Sequence, residues 1–213
     1  MKNAFLTALL VVLAGTANPA GAQTSEPVAG RDYVEIPNGT PMDPADGQVV
    51  VEEFFNYICP ACFGFEPLLL AWTAKLPPYA KLVHIPASFR ADFVPYARAY
   101  YAAEAFGLTD KTHAAMYDAI HVSNKLPAEG DKPSEDRIAA FYAGFGVDKD
   151  EFLNAMKSFG VELKVRRATE HLQRSKVMGT PSIVVNGRYL VRGNTRQEML
   201  AITSYLIEKE HAK

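Results

Sequence analysis

Cysteine is nearly absent from this chain, since Cys59 and Cys62 are the only two in 213 residues. Small exported proteins that use disulfides as a framework have many cysteines spread along the chain, so this pattern excludes such a framework. A bond between cysteines with only two residues between them closes so small a loop that it hardly constrains the unfolded chain. The pair is therefore predicted to serve chemistry, and an inert structural disulfide is the alternative.

Excess charge of one sign and a long apolar run are also lacking. The formal net charge is -2, which gives no electrostatic argument for binding nucleic acid or an anionic membrane. The apolar run Ala4 to Ala14 is too short for a membrane-spanning helix, which needs roughly 20 residues. No internal repeat or low-complexity segment is present.

A metal or haem site also lacks the residues it needs. A zinc site built on two cysteines requires two more ligands, but the histidines are scattered without ligand spacing. They are His84, His113, His121, His171 and His211. Covalent haem attachment requires a histidine directly after the second cysteine, where Phe63 stands. The sequence therefore predicts no metal and no cofactor.

The N-terminus has the pattern of an export signal. A positively charged start precedes the run Ala4 to Ala14, and small residues before Gln23 fit the small-x-small cleavage rule. This predicts a signal peptide over residues 1–22 and release into an oxidising compartment. A buried core helix is the alternative, and no nearby cysteine could hold a lipid anchor.

The first part of the remaining chain reads as strand, helix, strand. After an extended lead-in with the short strand-like stretch DYVEI, residues Gln48 to Tyr57 form a β-branched and aromatic run typical of a buried strand. A helical pattern begins at the cysteines, with Pro60 at its start, where proline is tolerated. Ala80 to Phe89 predict a second strand.

The rest of the chain first becomes helical and then returns to strand patterns. Five alanine-rich amphipathic segments occupy residues 90–176. Ser182 to Val185 and Arg188 to Val191 flank an Asn-Gly turn, which is a strong hairpin signal. Thr195 opens a capping box before a final helix, roughly Arg196 to Glu208. The order predicts one α/β unit interrupted by a helical insertion.

The two cysteines lie where a buried strand meets a helix. Unpaired N–H groups and the positive end of the helix dipole stabilise a thiolate over a thiol. Cys59 is predicted to be the exposed member with the lowered pKa, and Cys62, one turn later, the shielded one. A stabilised thiolate is a good leaving group, so the disulfide is expected to oxidise incoming protein thiols through a mixed disulfide at Cys59.

Three further residues are candidates for the same site. A cis bond before Pro181 would present the backbone of Thr180 to an extended substrate, although an ordinary proline at a strand start is the alternative. Glu53 precedes Cys59 by six residues, and Glu52 should point to the opposite face. If buried, Glu53 could pass protons or tune the thiolate; otherwise it is a strand-end acid that reaches solvent.

The combination VEEFFNYICPACFGFEP and VMGTPSIVVNGRY resembles the thioredoxin superfamily. The helical block between them resembles its DsbA branch of periplasmic thiol–disulfide oxidoreductases. The resemblance covers essentially all of the mature chain. It implies a thioredoxin-like α/β fold with an inserted α-helical domain. The implied division is residues 23–89 and 177–213 for the thioredoxin-like parts and 90–176 for the insertion.

The resemblance also implies roles and partners. Cys59 matches the nucleophilic cysteine of the family, Cys62 its buried partner, and Pro181 the cis-proline. Glu53 and Glu66 fall where relatives carry acids beneath and beside the active site, although Glu66 could simply stabilise its helix. Exported proteins with free thiols are the implied substrates, and a quinone-linked membrane protein of the DsbB kind is the implied oxidant.

Two departures from the family pattern bear on the strength of oxidation. Strongly oxidising members usually have histidine between the cysteines, where this chain has Ala61, so a milder oxidant is expected. Many members have valine before the cis-proline, whereas the hydroxyl of Thr180 could donate to a sulfur and shift the pKa of a thiol.

Two other functions remain open at this stage. A disulfide isomerase or reductase of this kind would dimerise through an N-terminal domain, for which the segment before Gln48 is short, so a monomer is expected. A non-catalytic periplasmic chaperone would bind unfolded segments in an apolar groove with both cysteines idle. Replacement of Cys59 by alanine separates the chaperone from the exchange enzyme.

Overall fold

The computed structural model describes residues 26–213. The predicted signal peptide, residues 1–22, and its cleavage site lie outside the described residues. Within the described residues, no helix combines the length and the apolar character that a membrane crossing requires.

A five-stranded mixed sheet forms the centre of the fold. The strands are β1 (Tyr33–Glu35), β2 (Val49–Phe55), β3 (Ala80–Pro86), β4 (Ser182–Val185) and β5 (Tyr189–Val191), in the spatial order β1-β5-β4-β2-β3. Strands β2 and β3 are parallel, while β2–β4, β4–β5 and β5–β1 are antiparallel. All seven residues of β2 are buried, as its β-branched and aromatic residues predict, although Glu52 and Glu53 interrupt the apolar run.

Seven helices surround the sheet in the described residues. They are α1 (Pro60–Thr73), α2 (Val94–Ala105), α3 (Thr109–His121), α4 (Glu135–Ala143), α5 (Lys149–Met156), α6 (Phe159–Arg174) and α7 (Arg196–His211). The five helices α2 to α6 follow β3 and precede β4, where the sequence predicts five helical segments. The thioredoxin-like fold with inserted helices is thereby confirmed.

Two apolar cores lie on the sheet. One packs Val51, Phe65, Leu69 and Leu206 between the strands and helices α1 and α7. The other includes Phe55, joins the sheet to the inserted helices and contains both cysteines. The end of β2 is thus fixed from both sides, which holds the β2–α1 junction in place.

Local signals in the sequence account for the ends of several elements. The Thr195 hydroxyl accepts the Glu198 N–H at 3.1 Å and caps α7. Asn186 and Gly187 turn between β4 and β5 with φ values of 51° and 66°. The predicted second strand is shorter than expected, since β3 ends at Pro86, which has no N–H to donate to a sheet.

Candidate active site

The cysteine pair lies at the junction of β2 and α1. Cys59 is the N-cap residue of α1 with extended φ and ψ of -76° and 115°, and Pro60 is the first helical residue. Cys62 lies in the first turn of α1 and is fully buried. Both cysteines are free thiols in this structure.

Cys59 is less exposed than the sequence predicts. It has only 7% of its surface accessible, so the expected exposed member is nearly buried, although Cys62 is buried further at 0%. The loop before β4 explains the difference, because the carbonyl of Thr180 lies 3.5 Å from the Cys59 sulfur and accepts a hydrogen bond from the thiol. Sequence separation hides this contact between residues 121 positions apart.

The two thiols differ strongly in acidity. A hydrogen bond from the Cys62 thiol is the largest cause that lowers the pKa of Cys59 to about 6. Burial opposes this shift, and the side chain of Thr180 and the N–H groups of Cys62 and Ala61 reinforce it. Burial raises the pKa of Cys62 far above its usual range, and the charges of Cys59 and Glu53 add to this. The negative charge of the reduced pair therefore resides on Cys59.

The helix terminus contributes to the lowered pKa of Cys59, as the sequence predicts. The N–H groups of Cys62 and Ala61 lower this pKa, after the larger contributions of the Cys62 thiol and the Thr180 side chain. Arg196 at the start of α7 places a guanidinium beside the CxxC loop, where the sequence suggests no cation. Its Nη2 donates to the Ala61 carbonyl at 3.4 Å and not to a sulfur.

The Thr180–Pro181 peptide bond is cis, as the family resemblance implies, which excludes the alternative of an ordinary proline at a strand start. It directly precedes β4, whose first residue, Ser182, pairs with Phe54 near the end of β2. This register places the loop against the cysteine pair. Met178 in the same loop is 92% exposed and leaves the approach to the loop apolar.

Glu53 and Glu52 are both buried and lie on opposite sides of β2, which confirms the predicted alternation and excludes a solvent-facing Glu53. Glu53 has 0% exposure, and its Oε2 lies 2.7 Å from Nδ1 of His84 on β3. Glu52 accepts the Met42 N–H at 2.7 Å and lies 2.9 Å from Nε2 of His171 on α6. Each strand carboxylate thus has an imidazole beside it.

Glu66 is also buried, on the face of α1 that points to helix α3. Its Oε1 lies 3.6 Å from Nε2 of His113, outside hydrogen-bond distance. Neither oxygen of Glu66 has a hydrogen-bond partner among residues 26–213. Nδ1 of His113 lies 3.0 Å from the Tyr57 hydroxyl. Glu66 is therefore an interior acid rather than a surface residue of its helix.

Sequence reasoning missed His84 and His113 as members of this site. Their positions in the chain suggest no relation, yet their rings stack with centroids 4.5 Å apart. The register of β2 against β3 was the one available signal, because it pairs Glu53 with His84. In the described part of the chain, no group of three or more His, Cys, Asp or Glu side chains is arranged to hold a metal ion.

Comparisons with known proteins agree with this geometry. A family model described as a DSBA-like thioredoxin domain matches residues 50–203. The thiol:disulfide interchange protein DsbA of Pseudomonas aeruginosa is 35% identical, over 100% of this chain and 98% of that protein. The protein of the same name from Azotobacter vinelandii is 35% identical, over 94% of this chain and 95% of its own length.

Solved structures agree as well. The oxidoreductase DsbA of Xylella fastidiosa is 41% identical and superimposes with a TM-score of 0.83, covering 88% of this chain and 99% of that one. The DsbA of Pseudomonas aeruginosa gives a TM-score of 0.76 at 33% identity, with 87% and 95% coverage. The chain carries the CxxC pair, the cis-proline and the inserted helices, and it belongs to the DsbA-like thioredoxin family of thiol–disulfide oxidoreductases.

Proposed function

We propose that this protein donates the Cys59–Cys62 disulfide to exported proteins that carry free thiols. The observation that carries the proposal is the division of acidity within the pair, which makes Cys59 the stable thiolate and Cys62 the buried thiol. A disulfide whose reduced form is stabilised in this way readily accepts electrons from substrate thiols.

The reaction proceeds in two exchange steps. A substrate thiolate attacks the Cys59 sulfur, the Cys59–Cys62 bond breaks, and Cys62 leaves and takes up a proton. A second substrate thiolate then attacks the substrate sulfur of the mixed disulfide, and Cys59 leaves as a thiolate. The substrate loses two electrons and gains a disulfide, while the protein gains the two electrons and becomes reduced.

The loop of Thr180 and Pro181 serves as the substrate platform in this proposal. The Thr180 carbonyl lies 3.5 Å from the Cys59 sulfur, so its backbone is placed to pair with an extended segment next to the attacking cysteine. Glu53 lies near Cys62, where its charge disfavours a second thiolate, and Glu66 is a second buried acid on the same helix as Cys62.

We further propose the cellular setting from family membership. Residues 1–22 act as a cleaved signal peptide, and the mature protein works in the periplasm as a monomer. A quinone-linked membrane protein of the DsbB kind accepts its electrons. The thioredoxin-like unit comprises residues 23–89 and 177–213, with residues 90–176 as the helical insertion.

Disulfide transfer to a reduced, unfolded protein with two thiols tests this function. The oxidised protein should produce one substrate disulfide per molecule, and Cys59→Ala should produce none. With an unfolded protein that already contains disulfides, Cys62→Ala should accumulate a covalent adduct at Cys59, because no Cys62 thiol can release it.

Other outcomes would replace the proposal. Suppression of substrate aggregation that persists in Cys59→Ala, without any disulfide transfer, would identify a chaperone. A stable dimer that rearranges scrambled disulfides faster than it oxidises reduced substrate would identify an isomerase.

A further inference from the structure

We propose that His84 and His113 form a proton-accepting pair that takes up a proton when the Cys59–Cys62 disulfide is reduced. This inference rests on the proposed function, because it describes where charge goes during that reaction. Both histidines are positioning residues, since they act on the sulfurs through Glu53. The two residues are called the histidine pair below.

The histidine pair joins four separate elements beneath the cysteines. His84 comes from β3 and His113 from α3, and their rings stack with an interplanar angle of 30°. Glu53 of β2 bonds to His84 at 2.7 Å, and Glu66 of α1 lies 3.6 Å from His113. The order in space is therefore carboxylate, imidazole, imidazole, carboxylate.

This arrangement favours a single shared proton. A like charge within ~4–6 Å disfavours ionisation, so the stacked rings are not expected to be charged together. Two flanking carboxylates, in contrast, favour one imidazolium between them. Several polar atoms of this group lack hydrogen-bond partners among the described residues: Oε1 of Glu53, both oxygens of Glu66 and Nε2 of His113. Each of these atoms can therefore bind a proton that moves within the group.

The charges around the pair leave these two carboxylates as its main partners. Burial opposes charge on His84, but the hydrogen bond to Glu53 and the charges of Glu53, Glu66 and Asp110 outweigh burial and raise the pKa of His84.

The other charged groups near His84 are paired with one another. The cavity that His84 lines, about 70 Å³ in volume, is also lined by Asp43, Glu104, Lys164 and Arg167. These four form two ion pairs, Arg167 with Asp43 and Lys164 with Glu104. The tyrosines that face the pair are Tyr57, Tyr100 and Tyr117.

The histidine pair is coupled to the sulfurs through Glu53. The charge of Glu53 raises the pKa of Cys62, and the Cys62 thiol donates to Cys59. Reduction of the disulfide adds two electrons to the cysteine pair, and Cys62 takes up one proton. Above about pH 6 the Cys59 sulfur stays a thiolate and keeps its negative charge. That new charge favours a protonated neighbour, so an additional proton moves from solvent to the pair through His84, whose side chain is 22% exposed.

The other face of β2 provides a matched control. Nε2 of His171 lies 2.9 Å from the buried Glu52 but makes no hydrogen bond among the described residues, so His171 is a second buried imidazole beside a carboxylate of the same strand. Its ring stacks on Phe54 at 5.6 Å and lies on the side of the strand away from Glu53. A redox-linked proton at the histidine pair should therefore leave His171 unaffected.

Nuclear magnetic resonance of the imidazole groups tests the inference directly. Signals are followed against pH in the oxidised protein and in protein reduced with dithiothreitol. The His84 signal should move at a higher pH in the reduced protein than in the oxidised one, with no such difference for His171. The inference would be overturned if the His84 signal moved at the same pH in both redox states. It would also be overturned if reduction displaced the titration of His171 by as much as that of His84.

Variants provide a second test through the redox equilibrium with glutathione. His84→Asn keeps an amide that can donate to Glu53 but cannot titrate, and His171→Gln is the control that replaces Nε2. Each proton taken up on reduction makes the equilibrium constant between the protein and glutathione change by about tenfold per pH unit. Near the pH at which His84 titrates, His84→Asn should therefore lose a pH dependence of up to about tenfold per pH unit. If His84→Asn does not fold, His113→Asn takes its place.

The outcomes separate this inference from the proposed function. An unchanged pH dependence in His84→Asn or His113→Asn, together with disulfide transfer by the wild type, would refute only the role of the histidine pair. Failure of the wild type to transfer a disulfide would refute the proposed function, and the resonance titration would still report on the pair in dithiothreitol.

Discussion

Thr180→Val should raise the pKa of the Cys59 thiol and weaken the protein as an oxidant. The side chain of Thr180 is one of the groups that lower this pKa from 9.0 to about 6, ranking after the Cys62 thiol. Valine keeps the shape of threonine but removes the hydroxyl that can donate to the sulfur. The substitution therefore tests the hydroxyl with little change in packing.

The expected size follows from hydrogen-bond energies. A hydrogen bond to a charged group contributes about 1.5–3 kcal/mol, and one pKa unit corresponds to ~1.36 kcal/mol. Since the Cys62 thiol contributes more than Thr180, we take the low end, a rise of about one unit, to about 7. Above that pH the couple should become less oxidising by about 30 mV.

Thiolate absorbance followed against pH measures this pKa directly. Thr180→Ser is the matched control, because it keeps the hydroxyl and should retain a midpoint close to that of the wild type. The reasoning would be refuted if Thr180→Val titrated like the wild type, or if both variants shifted equally. In either case the hydroxyl would not be the group that stabilises the thiolate.

Three further predictions follow from the same structure. Cys62→Ala removes the largest cause of the lowered pKa, so the midpoint of Cys59 should rise in the absorbance titration, and an unchanged midpoint would contradict the assignment. Because this pKa is lowered from 9.0 to about 6, the thiolate stabilises the folded reduced protein above pH 9, and that contribution is lost as the pH falls through about 6. Urea unfolding should therefore show the reduced protein gaining about 2.6 kcal/mol more than the oxidised protein between pH 5 and pH 8, whereas parallel curves would refute it. A methyl group at Gly39 would overlap the backbone carbonyl of Gly187, so Gly39→Ala should cost about 1–3 kcal/mol in thermal unfolding, while Gly160→Ala, which meets no atom within 4 Å, should cost nothing.

The parts of the fold that depend on neighbouring residues were predictable from the sequence. The buried strand β2, the Asn186-Gly187 hairpin and the cap at Thr195 each follow from a short pattern whose physics is local. The cis bond before Pro181 was also expected, because the CxxC pair gave an ordinary Thr-Pro sequence a specific meaning.

The parts that depend on distant residues were not predictable. The near burial of Cys59 comes from Thr180 on a loop 121 positions away, which no periodicity reveals. The scattered positions of the histidines argued against a zinc site and gave no sign that His84 stacks on His113, because this contact depends on where α3 lies relative to β3. Burial of Glu53 was left open because a charged residue at a strand end reads equally well as exposed.

The redox equilibrium of the Cys59–Cys62 couple in graded glutathione buffers, read by thiol trapping, shows whether the protein is an oxidant. With the negative charge held on Cys59, the couple should stay reduced until the buffer is strongly oxidising. A couple that remains oxidised in strongly reducing buffer would contradict this prediction, because the disulfide would then be a stable bond and not one the protein donates.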